Sequence, residues 1–275
     1  MSQFVDLHMH TNCSDGLCTP AEILEKVRSS GISAFAITDH DTINGYKAVQ
    51  NLLTEDDPEL ICGVELSSSH EDSDLHILAY GFNPDYIQFI HALTRFQEAR
   101  NERGQKMVEK LNQLGVKISY QDVEKIAGPG VIGRPHVATA IFDSGVIRRY
   151  NEAFEKYIGV GGPAYVAKAN FTPREAIELI HEAGGAAVLA HPGVGGVCGH
   201  IPMLVELGLD GLEVFHPEHS SEDILKFKKI AQEFGLSITG GSDFHGREGR
   251  NNKIGSQKVS FNYLTDLLLK TKAHR

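Results

Sequence analysis

Seven short apolar runs recur along this chain, each bounded by turn residues, and in nearly every one a His, Asp or Glu stands at or just past the carboxyl end. They are FVDLHMH from Phe4, AFAITDHD from Ala34, LICGVELSS from Leu60, LHILAYGF from Leu75, AAVLAHPG from Ala186, GLEVFHPE from Gly211 and SITGGSDFH from Ser237. Between most of them lie segments with apolar residues at three- and four-residue spacing, such as AEILEKVRSSG after Thr19 and PREAIELIHEAGG after Thr172. That is the helical period. Both segments open with a Thr N-cap, Pro at the first helical position and Glu three residues after the cap (Thr19, Pro20, Glu22; Thr172, Pro173, Glu175), and both end at a glycine, Gly31 or Gly184. Strand alternating with helix predicts an α/β fold on a parallel sheet, open or closed into a barrel.

The alternation breaks between about Thr94 and Ala169, where successive helical patterns (RFQEARNERGQKMVEKLNQLG, YQDVEKIA, PHVATAIFDSG, YNEAFEKYIG) follow one another with no strand between them. The expectation is a helical insertion over residues 95–169, with 1–94 and 170–275 forming the strand-bearing part. Its first helix carries Arg95, Arg100, Arg103, Lys106 and Lys110. A solvated helix face is the default reading of such a row, ahead of an anion site.

His8 and His10 close the first strand, with Asp15 in the loop beyond; Asp39, His40 and Asp41 close the second and Glu65 the third. His76 lies in the fourth, nearer its start. His191 ends the fifth, His216 the sixth, and Asp243 and His245 the seventh. In parallel α/β barrels the carboxyl ends of the strands converge on one mouth, so these scattered residues become neighbours. Residues two apart on a strand share a face, so both imidazoles of His8 and His10 can reach one ion, and Asp243 with His245 repeats the arrangement.

A single His near a strand end is ordinarily a hydrogen-bonded or half-exposed side chain. Nine such groups together would bury several charges at a cost that only a cation offsets. Imidazole and carboxylate donors without a convergent thiolate suit zinc, manganese or iron in a catalytic site. His70, His91, His181, His200, His219 and His274 lie off this pattern and read as structural.

A net charge of -10 argues against broad binding to a long nucleic-acid backbone, which draws on surplus Lys and Arg, and leaves a short or terminal nucleotide open. No apolar run has the length of a membrane span, and the opening residues lack the pattern of a signal peptide. The expected compartment is therefore the cytoplasm, with Cys13, Cys18, Cys62 and Cys198 reduced.

The segments DLHMHTNCSDG, ITDHD, GVELSS, HILAYGF, AHPG and GSDFHG, in this order between residues 4 and 246, resemble the motifs of the polymerase and histidinol phosphatase (PHP) superfamily of metal-dependent phosphoesterases. The resemblance implies a distorted seven-stranded (β/α)7 TIM-like barrel with a helical insertion and two or three divalent ions, manganese first, with iron or zinc as alternatives. It implies that His8, His10, Glu65 and Asp243 hold one ion, that Glu65 bridges to a second held by His76 and His191, and that Asp15, His40 and His245 hold a third. The stretch IGRPHVATAIF and the FHPEH strand resemble the branch containing nucleoside 3',5'-bisphosphate phosphatases and 5'-to-3' exoribonucleases, which implies Arg134 and His216 on substrate phosphate.

Three divalent ions set against the carboxylates of Asp15, Glu65 and Asp243 and one shared hydroxide leave about two positive charges, the sign that holds a phosphate dianion. The expected reaction is attack of that hydroxide on phosphorus. Arg134 would act as a bidentate clamp, with a surface ion pair as its plain alternative, and His216 would donate to phosphate or to the leaving oxygen. Asp41 is expected behind a ligand histidine. Three other readings compete: a phosphatase for histidinol phosphate or another small monoester, an amidohydrolase, and a non-catalytic metal-binding module. Many amidohydrolases bridge two metals with a modified lysine at a strand end, and no strand here ends in Lys. Non-catalytic relatives usually have lost ligands, whereas all nine positions here keep a suitable residue.

Overall fold

The computed structural model describes residues 3–71, 73–167, 171–247 and 253–274. The chain begins with β1 (Phe4–Asp6), α1 (Pro20–Ser30), β2 (Ala34–Ala36), α2 (Asn44–Gln50), β3 (Glu59–Ile61), β4 (Gly63–His70) and β5 (Ser73–Tyr80). Three helices follow, α3 (Ile87–Gln113), α4 (Tyr120–Ala127) and α5 (Arg134–Asp143), then a π-helical turn at Phe154–Ile158. The remainder is α6 (Pro173–Glu182), β6 (Ala186–Leu189), a 3-10 turn at Val197–His200, α7 (Ile201–Glu206), β7 (Gly211–Phe215), α8 (Ser221–Phe234), β8 (Ser237–Gly240), β9 (Val259–Ser260) and α9 (Phe261–Thr271). The Thr-Pro-x-Glu starts of α1 and α6 are complete capping boxes, in which the Thr hydroxyl accepts the Glu backbone N–H and the Glu carboxylate accepts the Thr backbone N–H.

The strands form two mixed sheets, ordered β3-β2-β1-β9 and β4-β5-β6-β7-β8. In the first, β1, β2 and β3 are parallel and β9 is antiparallel to β1. In the second, β6, β7 and β8 are parallel, whereas β5 is antiparallel to both its neighbours. The sheets meet at two seams through single bridges, Met9 with Phe244 and His40 with Glu65, and through backbone bonds such as His10 N–H to Phe244 O (2.9 Å) and Asp41 N–H to Glu65 O (3.0 Å).

This differs from seven parallel strands closed into a barrel. The run from Leu60 divides at Cys62 into β3 and β4, which belong to different sheets, and β9 comes from a stretch without a strand pattern. β4 and β5 are joined by a tight turn through Glu71, which has a positive φ of 52°, and so short a connection allows only antiparallel pairing. The same fact explains His76. Because β5 runs against β4, its amino end lies at the mouth, and His76 pairs with Ser67, two residues beyond Glu65.

Alternating residues of the second sheet serve two cores. Leu66, Ile77 and Leu189 face outward to Ile177 of α6 and Phe227 of α8, while Leu78, Tyr80 and Val188 pack between the sheets with Val5, Ala34 and Leu264. α3 spans two clusters: Phe89 and Leu93 join the outward core, and Met107, Val108 and Leu111 join one made with Val123, Val137 and Ile141 of α4 and α5. The boundary expected at 94/95 therefore falls within a continuous helix, and the one expected at 169/170 lies outside the described residues. Among the described residues no helix is long and apolar enough to cross a membrane.

Candidate metal centre

The loops that leave β2, β6 and β8 turn sharply. Asp41, His191 and Asp243 have φ of 53°, 30° and 48°, a left-handed region that costs non-glycine residues about 1–3 kcal/mol each. Such strain persists where surrounding structure holds it, and here it accompanies side chains turned toward a common centre.

That centre is Glu65, 1% exposed, whose two carboxylate oxygens face two sets of imidazoles. Oε2 lies 3.1 Å from His8 Nε2, 3.2 Å from His10 Nε2 and 3.4 Å from His40 Nδ1. Oε1 lies 2.7 Å from His76 Nδ1 and 3.2 Å from His191 Nε2. Asp243 Oδ1 approaches His8 Nε2 (3.4 Å) and His10 Nε2 (3.3 Å), and Asp15 Oδ1 lies 3.2 Å from His245 Nε2. All nine residues singled out in the sequence thus meet. The donor atoms of eight of them fall into three groups, each within 4.8 Å: His8, His10 and Asp243; His40, Glu65 and His76; and His10, Asp15, His40 and His245; His191 joins through Glu65 Oε1.

Two proton positions follow from the hydrogen bonds. His8 Nδ1 lies 2.8 Å from Glu213 Oε1, so Nδ1 carries the proton and the Nε2 lone pair points at Glu65 and Asp243. His245 Nδ1 lies 2.9 Å from the Asp243 carbonyl, which likewise leaves its Nε2 lone pair facing Asp15. A lone pair set 3.1–3.4 Å from carboxylate oxygens is repelled, so either a second ring proton or a metal cation must lie between them. These separations match the edges of a coordination shell with bonds of about 2.0–2.2 Å. Moreover, among the described residues the buried Nδ1 atoms of His10, His40 and His191 find no hydrogen-bond partner. The donor set of imidazole and carboxylate therefore fits divalent transition ions.

The electrostatics agree. Burial opposes charge on His8, yet Glu213, Glu65 and Asp243 hold its imidazole well above the usual range. His10, also opposed by burial, is raised to about 10 by Asp243 and Glu65. Burial pushes Asp15, Glu65 and Asp243 up, but the surrounding imidazoles hold all three well below ordinary carboxylates. His40 goes the other way, lowered to about 3 by burial that outweighs Glu65 and Asp15. These carboxylates demand cationic compensation, and protons and metal ions compete to provide it.

His216, 2% exposed, joins the cluster: its Nδ1 accepts the Glu218 backbone N–H (3.2 Å), which leaves a proton on Nε2, 3.4 Å from Asp243 Oδ2. Arg134 stands at the rim, its Nη2 bonding to Asp74 (3.0 Å), two residues ahead of His76 on the same face of β5. Among the described residues Asp41 hydrogen-bonds to no histidine. Its carboxylate accepts the Ser67 N–H (2.8 Å) and Arg100 Nε (2.6 Å), while Arg100 Nη2 donates to Ser67 Oγ (2.7 Å). Nor is the basic face of α3 wholly solvated, because Arg103 is 7% exposed with Nε on the Val166 carbonyl.

The carboxylate behind His8 is Glu213, which also accepts the His191 backbone N–H through Oε2 (2.7 Å). Its signal was a Glu in mid-strand among apolar residues, GLEVF. His219, set aside in the sequence, is a strut between loops: Nδ1–H donates to the Val214 carbonyl (2.9 Å) and Nε2 accepts the Gly193 N–H (3.1 Å). A Cβ at Gly193 would come within 2.7 Å of that ring, so only glycine lets the His191 loop approach it.

A mixed α/β sheet end lined with imidazoles around a buried carboxylate suits a metal-dependent hydrolase, and its known relatives place it in the phosphoesterase class. The family model for the PHP domain matches residues 6–240, and the chain belongs to that family. It is 32% identical to a 3',5'-nucleoside bisphosphate phosphatase of Chromobacterium violaceum, over 90% of each chain. It is 31% identical to a 5'-3' exoribonuclease of Haemophilus influenzae, over 89% of this chain and 91% of that one. A solved structure from Bifidobacterium adolescentis, described as a metal-dependent phosphoesterase, superposes with a TM-score of 0.87 at 31% identity over 98% of this chain and 97% of that one.

Proposed function

We propose that this protein hydrolyses a phosphate ester of a nucleotide, most specifically the 3'-phosphate of a nucleoside 3',5'-bisphosphate or the end of a short 5'-phosphorylated RNA. The observation that carries the reading is Glu65, whose two oxygens face separate histidine sets as a ligand bridging two ions would. On this reading His8, His10, Glu65 and Asp243 hold one ion, Glu65, His76 and His191 a second, and Asp15, His40 and His245 a third, with manganese the leading candidate. Bound divalent ions would supply Lewis acidity and an activated water.

The chain's own groups do the rest. Glu213 and the Asp243 carbonyl keep the protons of His8 and His245 on Nδ1, so both rings present Nε2 to the centre. The Nε2–H of His216 is placed to donate to a phosphate oxygen or to the leaving oxygen. Arg134 at the rim would leave Asp74 to take a second phosphate in a bidentate fork. Two seams joined at the mouth also support a distorted barrel, with the later part of α3, α4 and α5 as a capping insertion over residues 95–169. A bridging carboxylate in place of a lysine disfavours the amidohydrolase reading.

The test is release of inorganic phosphate by manganese-loaded protein from adenosine 3',5'-bisphosphate, 5'-AMP, 3'-AMP, histidinol phosphate and a short 5'-phosphorylated RNA, with nucleotide products from the RNA followed separately. Preference for the bisphosphate or RNA is expected. Activity on histidinol phosphate alone would overturn the substrate, and silence across the panel with metal bound would overturn the hydrolytic reading.

A further inference from the structure

A second cluster of metal-ligating side chains lies at the other end of the strands. Asp210 immediately precedes β7, His181 sits in the last turn of α6, and His274 follows α9. His181 Nε2 is 2.8 Å from Asp210 Oδ2 and His274 Nε2 is 3.1 Å from Asp210 Oδ1. All three donor atoms fall within 4.8 Å of one another, and none belongs to the nine residues at the mouth.

Asp210 is 7% exposed and Oδ2 also accepts the Ala187 N–H (2.9 Å), which anchors the carboxylate to β6. Burial pushes its pKa up, but His181, the Ala187 N–H and His274 bring it below the ordinary value, so the group is an anion at neutral pH. Two imidazoles and a carboxylate are ligands that zinc and its neighbours accept, with water completing the shell.

We propose that His181, Asp210 and His274 form a metal site distinct from the catalytic centre, for a divalent transition ion such as zinc, which clasps the segment after α9 to the base of the second sheet. The nitrogen–oxygen separations of 2.8 and 3.1 Å are hydrogen-bond lengths that already bring both imidazoles to the one carboxylate an ion would share. The two rings are stacked, with centroids 3.8 Å apart and planes at 12°, an arrangement in which each Nε2–H donates to one carboxylate oxygen. Binding an ion requires each proton to move to Nδ1 and the rings to turn apart. Both side chains are 22–23% exposed, which leaves Nδ1 water to donate to and the rings room to rotate. The amino-terminal face of such a sheet ordinarily carries stability and not chemistry, which suits a structural clasp.

The experiment uses the full chain and the variants His274→Gln and His181→Gln, which keep an N–H donor for Asp210 but remove the imidazole ligand. Each protein is equilibrated with zinc, freed of excess metal and analysed for zinc per chain, and trypsin cleavage after Lys270 and Lys272 is timed with and without zinc. The expected result is one zinc fewer in each variant, zinc slowing cleavage of the parent at least tenfold but not of the variants, and manganese-supported hydrolysis within twofold of the parent. Equal zinc in all three proteins would overturn the site. Loss of zinc together with manganese-supported turnover would assign the missing ion to the catalytic centre and overturn it too. Should one variant fail to fold, the other carries the same comparison.

Discussion

Replacing Glu213 with Gln tests whether the centre depends on a residue that itself touches no ion. Glu213 is fully buried, and its two oxygens accept from two donors, His8 Nδ1–H (2.8 Å) and the His191 backbone N–H (2.7 Å). A glutamine has the same shape but one oxygen, so whichever way it lies one of those donors faces an NH2 group. Leaving a buried donor without its acceptor costs about 1–3 kcal/mol. If His8 is the loser, its tautomer and orientation are no longer held, and loss of such a supporting carboxylate typically lowers metal affinity or activity about 10–100-fold. The free-energy range is the same, because tenfold corresponds to about 1.4 kcal/mol. The assay is metal affinity by chelator competition beside kcat/KM for phosphate release with manganese, and urea unfolding of the same samples. The expected outcome is a fall of that size in both affinity and kcat/KM, partly recovered by excess manganese. Less than a threefold change in both, with the protein folded, would refute the assignment of Glu213 as the group that orients His8.

Arg100→Met should destabilise the protein by about 3–5 kcal/mol at pH 7, since it strands the buried Asp41 carboxylate, and urea unfolding with an unchanged midpoint would contradict this. Burial raises Asp41, but Arg100 and the Ser67 N–H bring it net below its usual pKa, so the pair contributes stability above about pH 4 and loses it as pH falls through the depressed value. The gap between parent and variant should therefore narrow on acidification. Arg134→Ala should raise KM for a nucleoside bisphosphate about 10–100-fold, the worth of a charge-assisted bond, and change KM for a simple aryl phosphate much less. Equal effects on both substrates would remove Arg134 from the second phosphate.

Much of the centre was legible in the residues because its signals are local. An imidazole or carboxylate at the end of an apolar run, and a second one two positions away, can be read without knowing which strands pair, and the nine residues so marked lie together around Glu65. The starts of α1 and α6 were equally visible, since Thr, Pro and Glu act within one turn. Arg100 illustrates where such reading ends. A basic row on a helix looks solvated until tertiary packing turns part of it inward, and only then does Arg100 meet Asp41, 59 residues away in the chain.

By itself, then, the sequence determined the kind of chemistry available, the strand ends that carry it and the helices that alternate with them, because those depend on periodicity and on neighbours in the chain. Only the tertiary structure decided that the run at Cys62 divides between two sheets, that β5 runs backward so that His76 reaches the mouth, and that Glu213 supports His8 across 205 residues. The physical reason is that strand direction and hydrogen-bond partner are properties of pairs of segments. The same side-chain pattern serves a parallel or an antiparallel strand equally well until the connection and the register choose between them.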